Sequence, residues 1–86
     1  MAKRRVTKTG KGDGGVITKL CNPVERWSPR DKDDAIRDIE THNHTYFVEV
    51  RGHRVDVHVV KINGNKHLRT DADGRGKNNL EELPDC

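Results

Sequence analysis

The chain has 86 residues, of which 30% are hydrophobic and 36% are charged, and its formal net charge is +3. This length fits one small domain, residues 1–86, with a thin margin of stability, so a homo-oligomer that enlarges the core is expected. No apolar run reaches the length of a signal peptide or a membrane-spanning helix, which predicts a cytoplasmic protein with no membrane partner.

The N-terminal segment predicts a basic hairpin. The β-favouring runs RRVTKT (residues 4–9) and GVITKLC (residues 15–21) flank the stretch GKGDG, which suits a tight turn. The alternative is a partly flexible arm over residues 1–14 followed by one strand. Residues 1–30 carry eight basic and two acidic side chains, a net charge of +6 that either attracts an anion or keeps the protein soluble. The basic side chains of this arm are Lys3, Arg4, Arg5, Lys8 and Lys11.

A helix is predicted from Pro29 to about Thr41. Ser28 is suited to cap its first amides, proline is favoured at the first helical position because it has no amide hydrogen, and Asp31 lies at the capping-box distance. A narrow apolar stripe, with Trp27 beside it, is expected to pack on one face of a sheet. The stripe consists of Ala35, Ile36 and Ile39.

Residues 44–70 predict a central antiparallel hairpin and one further strand. Apolar residues recur at every second position from Tyr46 to Val50 and again from Val55 to Val59, with Gly52 between the two runs. An Asn-Gly dipeptide then predicts a second turn before a last strand over residues 66–70.

These elements predict an α+β fold, in which a small antiparallel sheet of order β-β-α-β-β-β carries one helix on one face. The tail, residues 71–86, is expected to dock on the sheet through Leu80 and Leu83, which are one helical turn apart. Besides the valines and the two leucines, the expected core residues are Leu20, Trp27, Ile36, Ile39, Ile62 and Leu68.

Metal and cofactor chemistry has weak support, so no metal and no cofactor are expected. Cys21 and Cys86 are expected to be free thiols, because the chain carries no secretory signal. Five histidines include only one closely spaced pair, in the sequence His-Asn-His at residues 42–44, which falls short of a zinc site. Residues 71–82 approach a calcium-loop pattern, but Arg75 stands where an oxygen ligand is needed, which favours a glycine-rich turn. The stretch GKGDGG lacks the Lys-Ser/Thr of a phosphate-binding loop.

The polar face of the central hairpin is the candidate ligand-binding surface. Arginine and histidine side chains bind phosphate or carboxylate groups, and alternate positions of a strand present them in a row. One aromatic side chain can add a single stacking position beside such a row. The alternative is that these residues only form the solvated face of an antiparallel sheet. The candidate residues are Arg51, His53, Arg54, His58, Lys61, Arg69 and Trp27.

Several motifs together resemble the small bacterial and phage proteins grouped as Domain of Unknown Function 3892. They are Trp-Ser-x-x-Asp (27–31), Ile-Glu-Thr-x-Asn-His-Thr-Tyr-Phe-Val (39–48), Gly-x-Arg-Val-Asp-Val-x-Val-Val (52–60), Leu-Arg-Thr-Asp-x-Asp-Gly (68–74) and Asn-Leu-x-x-Leu-Pro-Asp-Cys (79–86). The resemblance implies a free-standing cytoplasmic domain without an established activity. It also implies a family pattern that locks the tail onto the sheet, formed by Arg54, Asp56, Arg69, Thr70, Asp73, Gly74, Asn79, Leu80, Leu83 and Pro84.

The function expected from the sequence is a non-catalytic binding module for an anionic ligand, either a nucleotide or a nucleic acid. Phage-borne relatives would fit a role in sequestering a nucleotide signal or masking a host protein. The first alternative is a protein interaction module. The second is a small hydrolase that uses His58 or Cys21, although no spacing pairs a nucleophile with a base.

Overall fold

The computed structural model describes residues 2–70 and 79–86, which form mostly β-structure with one α-helix. The α+β class is confirmed, but the described strands form two sheets rather than one. The strands are β1 (Ala2–Arg5), β2 (Lys8–Lys11), β3 (Ile17–Cys21), β4 (Arg30–Asp31), β5 (His44–Val50), β6 (His53–Ile62) and β7 (Asn65–Thr70). The helix α1 spans Lys32–Glu40, and two short 3-10 helices span Asp13–Gly15 and Asn79–Glu82.

The larger sheet has the order β1-β5-β6-β7 and contains the predicted central hairpin. β5 and β6 pair antiparallel, with Val48 opposite Val55, and β6 continues into an antiparallel pair with β7. Asn63 and Gly64 both have positive φ angles, 51° and 83°, which is the backbone that an Asn-Gly hairpin turn requires. β1 adds to β5 in parallel, with Arg4 opposite Tyr46, and this pairing was not predicted.

The smaller sheet has the order β2-β3-β4. β2 and β3 form an antiparallel hairpin, but the single strand predicted over residues 4–9 is divided between the two sheets. The Val6 amide donates to the Phe47 carbonyl at 2.8 Å, whereas the next amide, of Thr7, donates to the Cys21 carbonyl at 3.0 Å. The chain therefore passes from one sheet to the other within two residues.

The helix begins at Lys32, three residues later than the sequence predicts. The Ser28 hydroxyl accepts a hydrogen bond from the Asn22 amide at 2.8 Å, so the predicted Ser28 cap is wrong. Asp31 occupies the N-cap position without a side-chain hydrogen bond to the helix. Within the described ranges, no helix has the length and apolar character that crossing a membrane requires.

The core lies between the two sheets and the helix. Tyr46, Val48, Val57 and Leu68 of the larger sheet meet residues of β3, the helix and the tail. Ile62, which was expected in the core, is 45% exposed, so this prediction is wrong. Trp27, Ile39, Val50, Val55, Val59 and Leu83 are partly buried against the core, whose other members are Val6, Ile17, Leu20, Ala35, Ile36 and Leu80.

The C-terminal residues 79–86 bind the free side of β2. The Thr9 amide donates to the Pro84 carbonyl at 3.0 Å, and the Cys86 amide donates to the Thr9 carbonyl at 3.1 Å. The Thr9 hydroxyl also donates to the Leu80 carbonyl at 2.8 Å. This docking brings the Cα atoms of Cys21 and Cys86 to 6.5 Å and a disulfide joins them, so the prediction of free thiols is wrong.

Candidate functional site

One face of the larger sheet points away from the core and carries most of the predicted ligand-binding residues. Tyr46, Val48, Val57 and Leu68 point to the core. Because successive strand residues point to opposite faces, the residues next to them along each strand lie on this side. We call this surface the outer face; it comprises Lys3, Arg5, Thr45, Phe47, Glu49, Arg54, Asp56, His58, Val60, Ile62, Asn65, His67 and Arg69.

The parallel pairing of β1 brings part of the basic arm to the outer face. Lys3 lies opposite Thr45, and Arg5 lies opposite Phe47. Arg5 Nη2 is 3.5 Å from Glu49 Oε2, which places both side chains on the same side of the sheet. Arg4 points to the other side, where its Nη1 donates to the Tyr46 hydroxyl at 2.8 Å. Two basic features that are separate in the sequence therefore form one surface.

The charge of the outer face is positive. Lys3, Arg5, Arg54 and Arg69 against Glu49 and Asp56 leave a net charge of +2 with the histidines neutral. Arg54 lies over the Phe47 ring, with its guanidinium carbon 4.2 Å from the ring centroid. His58 pairs with Arg69 across the β6–β7 ladder. The arrangement is able to bind several phosphate groups at once along and across the strands.

Four other predicted residues of the hairpin and its neighbours lie elsewhere. Arg51 is in the β5–β6 turn with a φ angle of 51°. His53 and Lys61 are an even number of residues from Val55, Val57 and Val59, so they lie on the core side of β6, where both are exposed at its ends. Trp27 packs edge-on against Tyr46, with ring centroids 5.6 Å apart, on the side away from Arg54.

The remaining lysines of the basic arm lie on β2. Lys11 Nζ donates to the Leu83 carbonyl and to Asp85 Oδ1, both at 2.7 Å, so it holds the tail. Lys8 is half-buried opposite Cys21 in the smaller sheet. Neither lysine contributes to the outer face.

A buried polar network lies on the core side, centred on Asp38 of α1. Its carboxylate accepts two hydrogen bonds from Arg30, from Nε and Nη2 at 3.0 Å each, and one from the Tyr46 hydroxyl at 2.6 Å. Arg4 Nη1 is 3.6 Å from Asp38 Oδ2, and the Arg4 guanidinium carbon is 5.6 Å from the Trp27 ring centroid. The network joins β1, β4, α1 and β5 around one carboxylate.

The charges of this network shift its pKa values. Burial alone would raise the pKa of Asp38, but hydrogen bonds from Arg30 and Tyr46 outweigh it and hold that pKa below its usual value. The pKa of Tyr46 is raised, first by burial and then by the hydrogen bond to the Asp38 carboxylate. His44, one pleat before Tyr46, has a buried Nδ1 without a hydrogen-bond partner among the residues described. The network holds Asp38 ionised inside the fold.

Two grooves border β7. The first, of about 500 Å³, lies between Gly14–Ile17, the end of the β6–β7 hairpin and the tail. Val16 and Ile62, which are 37% and 45% exposed, line this groove with Glu81 and Glu82 at its rim. The second, of about 520 Å³, separates α1 from β7 and is crossed by the ion pair between Lys66 and Glu40. Neither groove is lined by Lys3, Arg5 or Arg54.

The described part of the chain contains neither a metal-binding cluster nor a free thiol. Within residues 2–70 and 79–86, no group of three histidine, cysteine or acidic side chains could hold a metal ion. Most of the calcium-like stretch, including Asp71, Asp73 and Arg75, lies outside the described residues. While the disulfide is formed, Cys21 has no thiolate, so it cannot be the nucleophile of the hydrolase considered as an alternative function.

Sequence reasoning missed Phe47 as a member of the outer face and missed the Asp38 network. The period of two through β5 does place Phe47 opposite to Tyr46 and Val48, so the signal for Phe47 was present. In the Asp38 network, Arg30 and Tyr46 each lie eight residues from Asp38, whereas Arg4 joins only through the pairing of β1 with β5, whose partners are 42 residues apart and which no local pattern marks.

The comparisons with known proteins identify a family and no activity. No curated protein and no solved structure matches the chain. The family model described as "Protein of unknown function (DUF3892)" matches residues 3–84, which is nearly the whole chain and includes every strand of the outer face. The chain therefore belongs to the DUF3892 family.

Proposed function

We propose that this protein is a non-catalytic binding module that takes up nucleic acid on its outer face. The observation that carries the proposal is the parallel pairing of β1 with β5, which places Lys3 and Arg5 on the same surface as Arg54 and Arg69. A surface with four cations and two carboxylates attracts a polyanion, and an arginine guanidinium forms bidentate hydrogen bonds with two phosphate oxygens.

The spread of these charges favours a polymer over a single nucleotide. Neighbouring strands lie about 4.8 Å apart, so cations on β1 and β7 are separated by about 14 Å across the sheet. A small ligand requires a concave pocket that converges on it. Of the four cations only Arg69 lines one of these grooves, so the grooves do not gather the positive charge and a ligand with repeated phosphates fits the outer face better.

The proposal sets the expected salt dependence. Each phosphate that a lysine or arginine neutralises on a single strand releases about 0.7 of a counterion. If all four cations exchange their present contacts for phosphate, as Arg5 would exchange Glu49, the slope of log K against log salt concentration is about −3. Removal of two cations should reduce that slope to about −1.4.

The test is a fluorescence-anisotropy titration of a labelled oligothymidylate between about 50 and 200 mM salt. The double substitution Arg54→Ala with Arg69→Ala should weaken binding and flatten the slope. Arg37→Ala is the matched control, because Arg37 is exposed on α1, on the opposite side of the sheet. Salt-independent binding, or a folded double variant that binds as tightly as the control, would refute the proposal.

Protein binding is the second candidate function, favoured by the groove that Val16 and Ile62 line. Its acidic rim at Glu81 and Glu82 suits an extended peptide with an apolar side chain next to a basic one. Such a partner would be lost on Ile62→Lys and retained by the single variant Arg54→Ala, because Arg69 lines this groove and Arg54 does not. The homo-oligomer expected from the sequence also stays a prediction, which light scattering of the purified protein would test.

A further inference from the structure

Phe47 is an aromatic residue buried on the polar side of the sheet. Its side chain lies on the outer face between Arg5 of β1 and Asp56 of β6, which are its register partners. It is only 8% exposed, yet it does not belong to the hydrophobic cluster that Tyr46 and Val48 form on the other side. The need for a core therefore does not explain an aromatic ring at this position.

The ring is covered by an exposed, charged side chain. The Arg54 guanidinium carbon lies 4.2 Å from the ring centroid, while Arg54 itself is exposed. Within the described part of the chain, Arg54 forms no ion pair, and Glu49 opposite it is paired with Arg5 at 3.5 Å. The guanidinium donors are thus available to a ligand.

The relative strengths of two contacts decide what can replace the arginine. The contact of an exposed cation with an aromatic ring is favoured by a factor of about two to five in its equilibrium constant. A nucleic-acid base stacked on an aromatic ring contributes about five- to 150-fold in affinity. A base can therefore displace Arg54 from the ring, and the displaced guanidinium then lies beside the phosphate that follows the base.

We propose that Phe47 is the stacking position for an unpaired base, with Arg54 moving from the ring to a backbone phosphate, so that the ligand is single-stranded nucleic acid. The inference rests on the proposed function and narrows its ligand class. Bases in a duplex are stacked on each other and do not offer a free face to a flat sheet.

The test compares two oligomers of about twelve nucleotides with equal phosphate numbers, an oligothymidylate and its abasic analogue. The wild-type protein should bind the oligothymidylate about five- to 150-fold more tightly. Phe47→Leu should remove this difference. Phe47→Trp should keep the difference, and the new tryptophan should be quenched by the oligothymidylate and not by the abasic oligomer.

The outcomes separate the inference from the proposed function. Equal wild-type affinity for both oligomers, with a slope near −3, overturns the stacking position and leaves the binding face intact. Binding of neither oligomer overturns both. If Phe47→Leu fails to fold, the wild-type comparison and the Phe47→Trp fluorescence still decide the question.

Discussion

The substitution Asp38→Asn tests how the buried network contributes to stability. Asp38 is 5% exposed, and its carboxylate accepts three hydrogen bonds from Arg30 and Tyr46. Asparagine has nearly the same shape but no charge, and one of its two terminal groups donates instead of accepting. The two arginines of the network would then lose the carboxylate that compensates their partial burial.

The expected loss is about 3 kcal/mol in the free energy of unfolding. Removal of one partner of a buried ion pair costs about 3–5 kcal/mol. The Arg30 side chain is 34% exposed, so water compensates part of its lost pairing and the lower end of that range applies. In a domain of this size, about 3 kcal/mol lowers Tm by about 12–24 °C.

The pH dependence gives the same substitution a second readout. The pKa of Asp38 is held below its usual value in the folded state, so its contribution is present above the unfolded pKa of about 3.9. The contribution is lost as the pH falls through the folded pKa. The difference between wild type and Asp38→Asn should therefore be largest near neutral pH and shrink as the pH falls below about 3.9.

The assay is urea denaturation followed by circular dichroism at several pH values, with Asp33→Asn as the control on the exposed side of the same helix. The control should differ from wild type by less than about 1 kcal/mol, because it loses only a helix-dipole contact. A loss below about 1 kcal/mol for Asp38→Asn, or a loss that does not shrink as the pH falls below about 3.9, would refute this account of the network.

Two further predictions concern the tail. Leu80→Ala should lower the free energy of unfolding by about 3 kcal/mol, because Leu80 is fully buried. Leu83→Ala should cost less, because Leu83 is only partly buried. Equal losses for the two variants in urea denaturation would contradict the docking of the tail. Cys86→Ser should cost about 3–4 kcal/mol, because the disulfide closes a loop with a sequence separation of 65, and a thiol reductant should destabilise wild type but not the variant. No effect of the reductant on wild type would show that the bond does not form in solution.

The local elements of the fold could be predicted from the sequence. The central hairpin and β7 follow from the two-residue period and from turns in which Gly52 and Gly64 adopt positive φ angles. The docking of Leu80 and Leu83 follows from their spacing before Pro84. In each case the signal lies within a few residues of the structure that it predicts.

The missed features depend on contacts between distant segments. No local pattern indicates that β1 pairs in parallel with β5, or that Cys21 meets Cys86. The helix start was misplaced because the Ser28 hydroxyl binds the Asn22 amide, a local competitor for the same oxygen. The hairpin residues of the outer face were predicted, but the position of Lys3 and Arg5 beside them was not, because it depends on the long-range pairing of β1 with β5.

The central claim is that the outer face binds nucleic acid, and amide chemical-shift mapping by NMR tests it most directly. On titration with the oligothymidylate, the account predicts shifts at Lys3, Phe47, Arg54 and Arg69, and little change along α1. Shifts confined to the groove around Val16 and Ile62, or no shifts at low salt, would contradict it.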